Sequence, residues 1–400
     1  MTTAANAPHG GRATAARALP APVVRRLRHD AGERPFIVIW EVTRACGLVC
    51  RHCRADAQHV PDPRQLTSEQ GRAFLDDIAA FGAPRPIVVL TGGDPFERAD
   101  LAELVAHGTA AGLSMSISPS VTPKLTAERL AELRSAGARA CSVSLDGASA
   151  STHDAFRGFT GTFDATLRAA AAIRDAGLRL QVNTTITRGN VAELPRVLST
   201  VLGMSAAMWY VFFLVPTGRG SSLEALTPRD KEDVLHWLHD NSTRIAIKTT
   251  EAPQYRRVAL QRSEALRLGQ PMPATGALHT RLTAATFELL GPPPLAARTP
   301  RAPMAVNAGS GFAFVDHCGD VYPSGFLPVC CGNVTAQGFR TIYRSAPLLV
   351  ALRHPEGFGG KCGVCEYHDI CGGSRSYAYA VTGDPLAADP SCAYVPADRG

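Results

Sequence analysis

Phe36-Ile37-Val38-Ile39-Trp40-Glu41-Val42-Thr43-Arg44-Ala45-Cys46-Gly47-Leu48-Val49-Cys50-Arg51-His52-Cys53 is an apolar run that breaks into a loop carrying three thiols. The run reads as a buried strand, and the loop after it has the spacing Cys-x3-Cys-x2-Cys. Three soft ligands this close can grip one face of an iron–sulfur cube or three positions of a zinc tetrahedron. Either way the fourth position comes from elsewhere. A structural zinc knuckle would be completed by His52 or a distant cysteine. A cube held by Cys46, Cys50 and Cys53 alone would leave one iron open to a small molecule.

Working outward, the 400 residues are 45% apolar and 19% charged, as expected of a soluble globular chain of two to three domains. No apolar run approaches the ~20 residues a bilayer span needs, so no membrane role is expected. Met1 to Arg34 is rich in Ala, Pro, Arg and Gly, and Arg25-Arg26 has no apolar stretch after it. Residues 1–34 therefore read as a flexible arm, not an export signal. The net charge of +6 comes mainly from arginines scattered through helices and from that arm, and is read as solvated faces. Without a basic run interleaved with aromatics, nucleic acid is not an expected partner. Eleven cysteines, clustered in two distant segments, argue for metal ligation in a reducing, cytoplasmic setting and against disulfides.

From Phe36 to about Val215, short apolar runs alternate with helical patterns. The runs are Phe36–Val42, Pro86–Thr91, Leu113–Ser118, Ala138–Leu145, Leu178–Thr185 and Ala207–Val215. The helices are Thr67–Phe81, Leu101–Ala111, Thr126–Ala136, Phe163–Ala176 and Val191–Val201, with Gly82, Gly112, Gly137, Gly177 and Gly203 at their ends. Six strands alternating with helices predict an α/β fold, a partial (β/α)6 TIM-like barrel over residues 35–225. Chemistry in such folds sits on the loops after the strands.

The candidate motifs fall on those loops. The cysteine loop follows the first strand, and Thr91-Gly92-Gly93-Asp94-Pro95 follows the second. Ser142-Val143-Ser144-Leu145-Asp146-Gly147 closes the fourth, with His153-Asp154-Ala155-Phe156-Arg157-Gly158 shortly after. Paired glycines let a backbone approach a ligand, Asp94 can accept from an ammonium group, and Arg157 suits a carboxylate. A plain turn at Gly92-Gly93 and a surface ion pair at Arg157 remain open at this point.

Spacing and motifs together resemble the radical S-adenosylmethionine (SAM) superfamily. The resemblance implies that the open iron of a [4Fe-4S] cluster binds SAM's amino and carboxylate groups and cleaves it to a 5′-deoxyadenosyl radical that takes hydrogen from a substrate carbon. It also implies that Gly92, Gly93 and Asp94 hold the amino group, with Asp where Glu is usual. Ser144 and Arg157 would face the carboxylate, and His52 would lie beside the adenine. A flavodoxin- or ferredoxin-type protein is the implied electron donor. Arg219, in Pro216-Thr217-Gly218-Arg219-Gly220, is a candidate for gripping an anionic group on the substrate.

From Thr227 to Arg267 the pattern is helical around a strand-like Ile245–Thr250, and Gly269 to Pro303 turns Ala-, Pro- and Gly-rich. Residues 226–304 read as a helical segment and a linker or lid. Residues 305–400 differ. Phe312–Val315 and Asp320–Tyr322 suggest a hairpin, and Cys362, Cys365 and Cys371, spaced Cys-x2-Cys-x5-Cys, are followed by Cys392. Four thiols can enclose a second cluster or a zinc ion.

This tail resembles the SPASM (twitch-like) auxiliary-cluster domain, which implies iron–sulfur. Ser324 and Ser374 stand where that domain expects cysteines, so one auxiliary [4Fe-4S] cluster is expected, at Cys362, Cys365, Cys371 and Cys392. Cys318, Cys330 and Cys331 could build a further site only unconventionally, and Cys141 reads as a buried filler. Wording such as Trp40-Glu41-Val42-Thr43-Arg44 and Gly360-Lys361-Cys362-Gly363-Val364-Cys365-Glu366 is similar to the alternative haem synthase branch, which oxidatively decarboxylates porphyrin propionates to vinyl groups. The expected function is such an oxidation of a carboxylate-bearing tetrapyrrole. A maturase for a ribosomally made peptide is the alternative, and a non-catalytic iron–sulfur electron carrier is the reading from another class.

Overall fold

A computed structural model describes residues 23–293 and 299–397. All six expected strands are present, their ends within two residues of the expectation: β1 (Ile37–Glu41), β2 (Ile87–Thr91), β3 (Ser114–Ile117), β4 (Ala140–Ser144), β5 (Arg179–Ile186) and β6 (Met208–Phe213). The strand-like Ile245–Thr250 adds β7 (Ile247–Thr250), and each strand pairs in parallel with the next. The crossovers carry α1 (Ser68–Ala79), α2 (Leu101–Ala110), α3 (Ala127–Ser135), α4 (Ala150–Arg157), α5 (Thr162–Asp175), α6 (Leu194–Gly203) and α7 (Pro228–Asp240). Hydroxyls start several of them. Thr67 forms a reciprocal capping box with Gln70, and Thr126, Ser149 and Thr227 accept from the first turns of α3, α4 and α7.

Alternation along the strands separates two faces. Val38, Trp40, Val88, Leu90, Met115, Ile117, Cys141 and Val143 pack in the core beneath the helices. Residues between them, such as Val89, Thr91, Ser116, Ser144 and Asn183, are half-buried on the concave side. Trp40 is fully buried edge-on to Phe74, 5.3 Å between centroids. A Cβ at Gly71 would come within 2.7 Å of the Trp40 ring, so α1 carries a helix-weakening glycine where it crosses the indole.

The tail continues the same sheet. After β8 (Asn307–Ala308) the expected hairpin forms from β9 (Gly311–Val315) and β10 (Val321–Tyr322), and β9 lies parallel to β1 with Phe312 opposite Ile37. The strand order is β10-β9-β1-β2-β3-β4-β5-β6-β7, with β8 beside β9.

Three expectations need correction. Gly269–Pro303 is not a structureless linker: after α8 (Gln254–Leu268) it forms α9 (Ala277–Leu290), whose Leu278 and Leu282 are buried and which packs on α6 and α7. Its first turn is capped from a distance, Asp233 accepting from the backbone N–H of Gly276, Leu278 and His279. Gly203 is not left-handed; Ser205, at φ 54°, makes that reversal. Of the arm, residues 1–22 lie outside the described residues, whereas 23–34 are tied down: Arg25 Nε donates to Ala302 O at 2.8 Å and the Tyr343 hydroxyl to Ala31 O.

Candidate functional site

Cys46, Cys50 and Cys53 lie at the carboxyl end of β1 in a loop closed at its base, where Cys46 N–H donates to Gln58 O at 2.7 Å. Cys46 and Cys50 are buried and Cys53 half-buried. Each sulfur has a polar neighbour. Leu48 N–H donates to Cys46 Sγ at 3.3 Å, Arg157 Nη1 to Cys50 Sγ at 3.7 Å, and Ala57 N–H to Cys53 Sγ at 3.5 Å. Burial pushes the Cys46 thiol above its ordinary value, so a bound metal must supply what solvent does not.

The glycines of the next loop carry this one. Gly93 N–H donates to Thr43 O at 2.8 Å, and Asp94 N–H to Ala45 O at 2.7 Å. A Cβ at Gly92 would lie 2.5 Å from Thr43 O, and one at Gly93 2.3 Å from Ala45 O. Only glycine allows the two backbones this contact. Asp94 departs from its expected duty. Its side chain is fully buried, accepting from Phe96 N–H at 3.1 Å and the Thr122 hydroxyl at 2.7 Å, and burial raises its pKa to about 6. It organises the rim from within and does not present its carboxylate to a ligand.

Ser120 and Thr122, after β3, were not anticipated. Ser120 accepts from Cys46 Sγ at 3.4 Å and donates to Gly93 O at 2.8 Å, joining the two loops. Their only signal in the sequence was a hydroxyl-rich stretch on the loop after a strand.

Arg157 is buried between Asp146 and Cys50. Its Nη2 stands 2.5 Å from Asp146 Oδ2 without the alignment of a hydrogen bond. Burial opposes the charge, but Asp146 and Cys50 hold the guanidinium above its ordinary pKa. Asp146 accepts from Thr185 N–H at 2.7 Å, locking the end of β4 to β5. His52 stacks on Phe156, 4.5 Å between centroids at 27°, and burial lowers its pKa to about 4, leaving a neutral flat ring. Ser144 is half-buried on the concave face. Asp146 Oδ2 and Arg157 Nη2 answer each other as an ion pair, while the buried His52 Nδ1 has no hydrogen-bond partner. A guanidinium, a hydroxyl and an unsatisfied ring nitrogen beside three thiols fit a ligand that carries a carboxylate.

Arg219, the candidate for gripping an anionic group on the substrate, is engaged with the cysteine loop through Nε and Nη1, while its Nη2 has no partner. Its Nε donates to Cys50 O at 3.0 Å, its Nη1 reaches Asp56 Oδ1 at 3.2 Å, and its backbone N–H donates to Cys53 O at 3.0 Å. It clamps the cysteine loop from behind.

Cys362, Cys365, Cys371 and Cys392 line one small pocket. Arg257, Lys361 and His368 share its wall, and Arg375 Nη2 lies 3.5 Å from Cys362 Sγ. Asp389 N–H donates to the same sulfur at 3.3 Å. Burial raises the Cys371 thiol to about 12, with Arg256 and Arg257 opposing. Four thiols in a cationic pocket fit an anionic cluster. Around one zinc at ~2.3 Å, thiolates would sit about 3.8 Å apart. Among the described residues, the one metal-compatible group whose ligand atoms all lie within 4.8 Å of one another is Asp62, His317 and Cys318, so neither cysteine set is drawn in around a single ion.

That group is accounted for by charge. His317 lies between Glu41, 3.1 Å away, and Asp62, 3.3 Å away, and its pKa is raised: burial opposes protonation, and the two carboxylates outweigh it. Cys330 and Cys331 do not join Cys318 in such a group. Cys141 is buried in the core of β4, and burial raises its thiol strongly, as befits a filler.

Residues 40–198 match the profile of the radical SAM superfamily. An AdoMet-dependent heme synthase of Oleidesulfovibrio alaskensis is 36% identical over 93% of this chain and 90% of its own length. The mycofactocin maturase MftC of Mycobacterium tuberculosis is 30% identical, over 90% of this chain and 83% of its own. Among solved structures, SuiB of Streptococcus suis bound to S-adenosylmethionine superposes with a TM-score of 0.64 over 90% of this chain and 78% of that one, at 14% identity, a likeness of fold.

Proposed function

The chain belongs to the radical SAM superfamily and is an enzyme of that class, and from this premise we propose that it oxidises a carboxylate-bearing tetrapyrrole, converting a propionate side chain to a vinyl group. The observation that carries the reading is the extent of the match to a heme synthase, which spans 93% of the chain and so reaches beyond the barrel into the cysteine-rich tail. Cys46, Cys50 and Cys53 would hold a cluster whose chemistry is one-electron reduction of SAM, and Cys362, Cys365, Cys371 and Cys392 would hold one able to accept an electron.

The chain's own residues do the rest. Arg157 and Ser144 orient SAM's carboxylate, the Gly92–Gly93 backbone its amino group, and His52 the adenine. Ser120 and Arg219 hold the cysteine loop still, so that the reacting carbon meets the radical in fixed geometry. On the substrate, loss of a hydrogen atom from the carbon β to the carboxylate, then of CO2 and one electron, leaves the vinyl group. A flavodoxin- or ferredoxin-type protein in the cytoplasm delivers the electrons. No helix of the described residues is long and apolar enough to cross a membrane.

The test is anaerobic incubation of reconstituted protein with SAM, dithionite and an iron-bound propionate porphyrin. The expected products are 5′-deoxyadenosine, absent from a Cys46→Ala control, and a porphyrin lighter by CO2 and two hydrogens. Deoxyadenosine with the porphyrin unchanged would overturn the substrate assignment. Consumption of a co-encoded precursor peptide would then favour the maturase reading, for which the similarity to MftC speaks.

A further inference from the structure

Glu251 follows the last residue of β7, at the edge of the barrel mouth, and is one of three non-glycine residues with positive φ among those described, at 58°. That conformation is strained for a residue with a Cβ and persists where the surroundings over-determine it. Three hydroxyls from the tail provide that determination. Ser324 and Ser376 donate to Oε1, each at 3.0 Å, and Ser374 donates to Oε2 at 2.5 Å. All three serines are buried. The backbone of Glu251 is held as well. The buried Lys231, in the first turn of α7, donates from Nζ to Glu251 O at 3.1 Å and to Ser391 Oγ at 2.7 Å.

These contacts lead to both ends of the second cysteine set. Ser374 lies three residues after Cys371, and Ser391 adjoins Cys392. Asp389, fully buried, closes the circuit: it accepts from the backbone N–H of Ser374 at 2.7 Å and of Ser391 at 2.8 Å, while Gln254 Nε2 from α8 reaches it at 2.7 Å. Its own N–H points at Cys362 Sγ. The helix Arg375–Thr382 begins at this junction, with Ser374 as its N-cap. A glutamate needed only to end β7 would not gather donors from two separate parts of the tail, nor would it be braced by a lysine shared with the residue before a cysteine.

We propose that Glu251 is the positioning residue that fixes the Cys362–Cys365–Cys371–Cys392 site on the barrel, through Ser374 toward Cys371 and through Lys231 and Ser391 toward Cys392. The inference rests on the reading that these four cysteines hold an iron–sulfur cluster. Residues around metal ligands orient them, and their loss costs about 10–100-fold in metal affinity. Charge-assisted bonds from three hydroxyls to one carboxylate make this a stiff connection.

The test uses the full chain with Cys46, Cys50 and Cys53 all changed to Ala, so that iron can load only at the second site. Iron and sulfide content, the electron paramagnetic resonance spectrum of the reduced protein and its midpoint potential are compared for that parent and for Glu251→Ala, Glu251→Gln and Ser376→Ala in it. The expected result is that Glu251→Ala lowers iron retention against a chelator by about tenfold or more. Glu251→Gln, which still accepts hydroxyl bonds, restores most of it. Ser376→Ala, which removes one donor and leaves the fold, keeps the iron but shifts the spectrum and the potential. Loading, spectrum and potential unchanged in Glu251→Ala, or in Ser376→Ala when Glu251→Ala does not fold, would overturn the inference alone. A parent that takes up no iron would overturn the cluster reading and this inference with it.

Discussion

Replacing Gly93 by Ala tests whether the paired glycines seat the cysteine loop. The new Cβ would lie 2.3 Å from Ala45 O and 2.6 Å from Arg44 O, both backbone atoms that no side-chain rotation can move aside. Reaching an ordinary contact of about 3.4 Å requires the segment leading into Cys46 to retreat by about 1 Å. The retreat breaks or stretches two hydrogen bonds, Gly93 N–H to Thr43 O and Asp94 N–H to Ala45 O. At about 1 kcal/mol each, with strain added, the stability loss is about 3 kcal/mol. The catalytic loss is larger, because a displacement of ~1 Å in a reacting pair can cost about 10²-fold in rate. The assay is 5′-deoxyadenosine formation at saturating SAM, with iron content and melting temperature measured on the same anaerobic preparation. Gly203→Ala is the control, since a Cβ there meets nothing within 4 Å. A Gly93→Ala protein with wild-type rate and iron content would refute the argument that these glycines exist for the loop's sake.

Asp94→Asn changes how stability responds to pH. Burial raises the folded-state pKa from 3.8 to about 6, so the fold favours the protonated acid, and its contribution is full below about pH 4 and lost as pH rises through 6. Relative to Asp94→Asn, the wild type should therefore lose about 1 kcal/mol between pH 5 and pH 8, read from denaturant melts at the two values; parallel curves would count against it. Arg219→Ala removes the clamp on Cys50 O and Asp56, so deoxyadenosine formation should fall while the KM for the substrate stays put; a raised KM with an unchanged rate would return Arg219 to substrate binding. Cys365→Ala should about halve the iron per chain, leaving SAM cleavage intact but uncoupled from product. Loss of deoxyadenosine in that variant would mean that the second site is needed for the first step.

The barrel was legible because its strands are apolar runs closed by turn residues, and the pattern survives without tertiary information. Helix α9 was not, because its first turn has no local cap. Gly276 offers no side chain, and the acceptor is Asp233, which lies 43 residues earlier in the chain, while prolines and glycines on either side dilute the Leu278–Leu282 period. At the site, the three cysteines, His52 and Arg157 were placed by motif, and the structure brings them onto one rim. What the motif could not tell is direction. Asp94 and Arg219 both sit on that rim, yet one turns its carboxylate into the core and the other turns its guanidinium onto loop carbonyls, according to which partners lie nearest. The roles of Ser120, Thr122 and Asp146 could not be read for the opposite reason, since these are ordinary residues made important by a neighbour far away in sequence.

Some of the positive charge stands inside the protein and not on the solvated faces that its distribution along the chain suggests. Arg256, Arg257 and Arg375 are buried, as is the Arg157 side chain, and all four stand beside the cysteine sites, not on solvated faces. Burial lowers Arg256 to about 10, with Cys371 opposing, which still leaves it charged at neutral pH. An arginine cannot shed its proton to escape burial, so each of these cations requires a fixed negative charge nearby. Asp146 serves Arg157, and Glu232 serves Arg257 at 2.5 Å. Arg375 is paired with no carboxylate among the described residues; its guanidinium donates to the carbonyls of Pro385 and Ala387 and to Cys362 Sγ. A neutral thiol answers that charge poorly. Thiolates bound to an iron–sulfur core carry net negative charge and answer it well, so the cations that make the empty pocket costly are those that would make the loaded one stable.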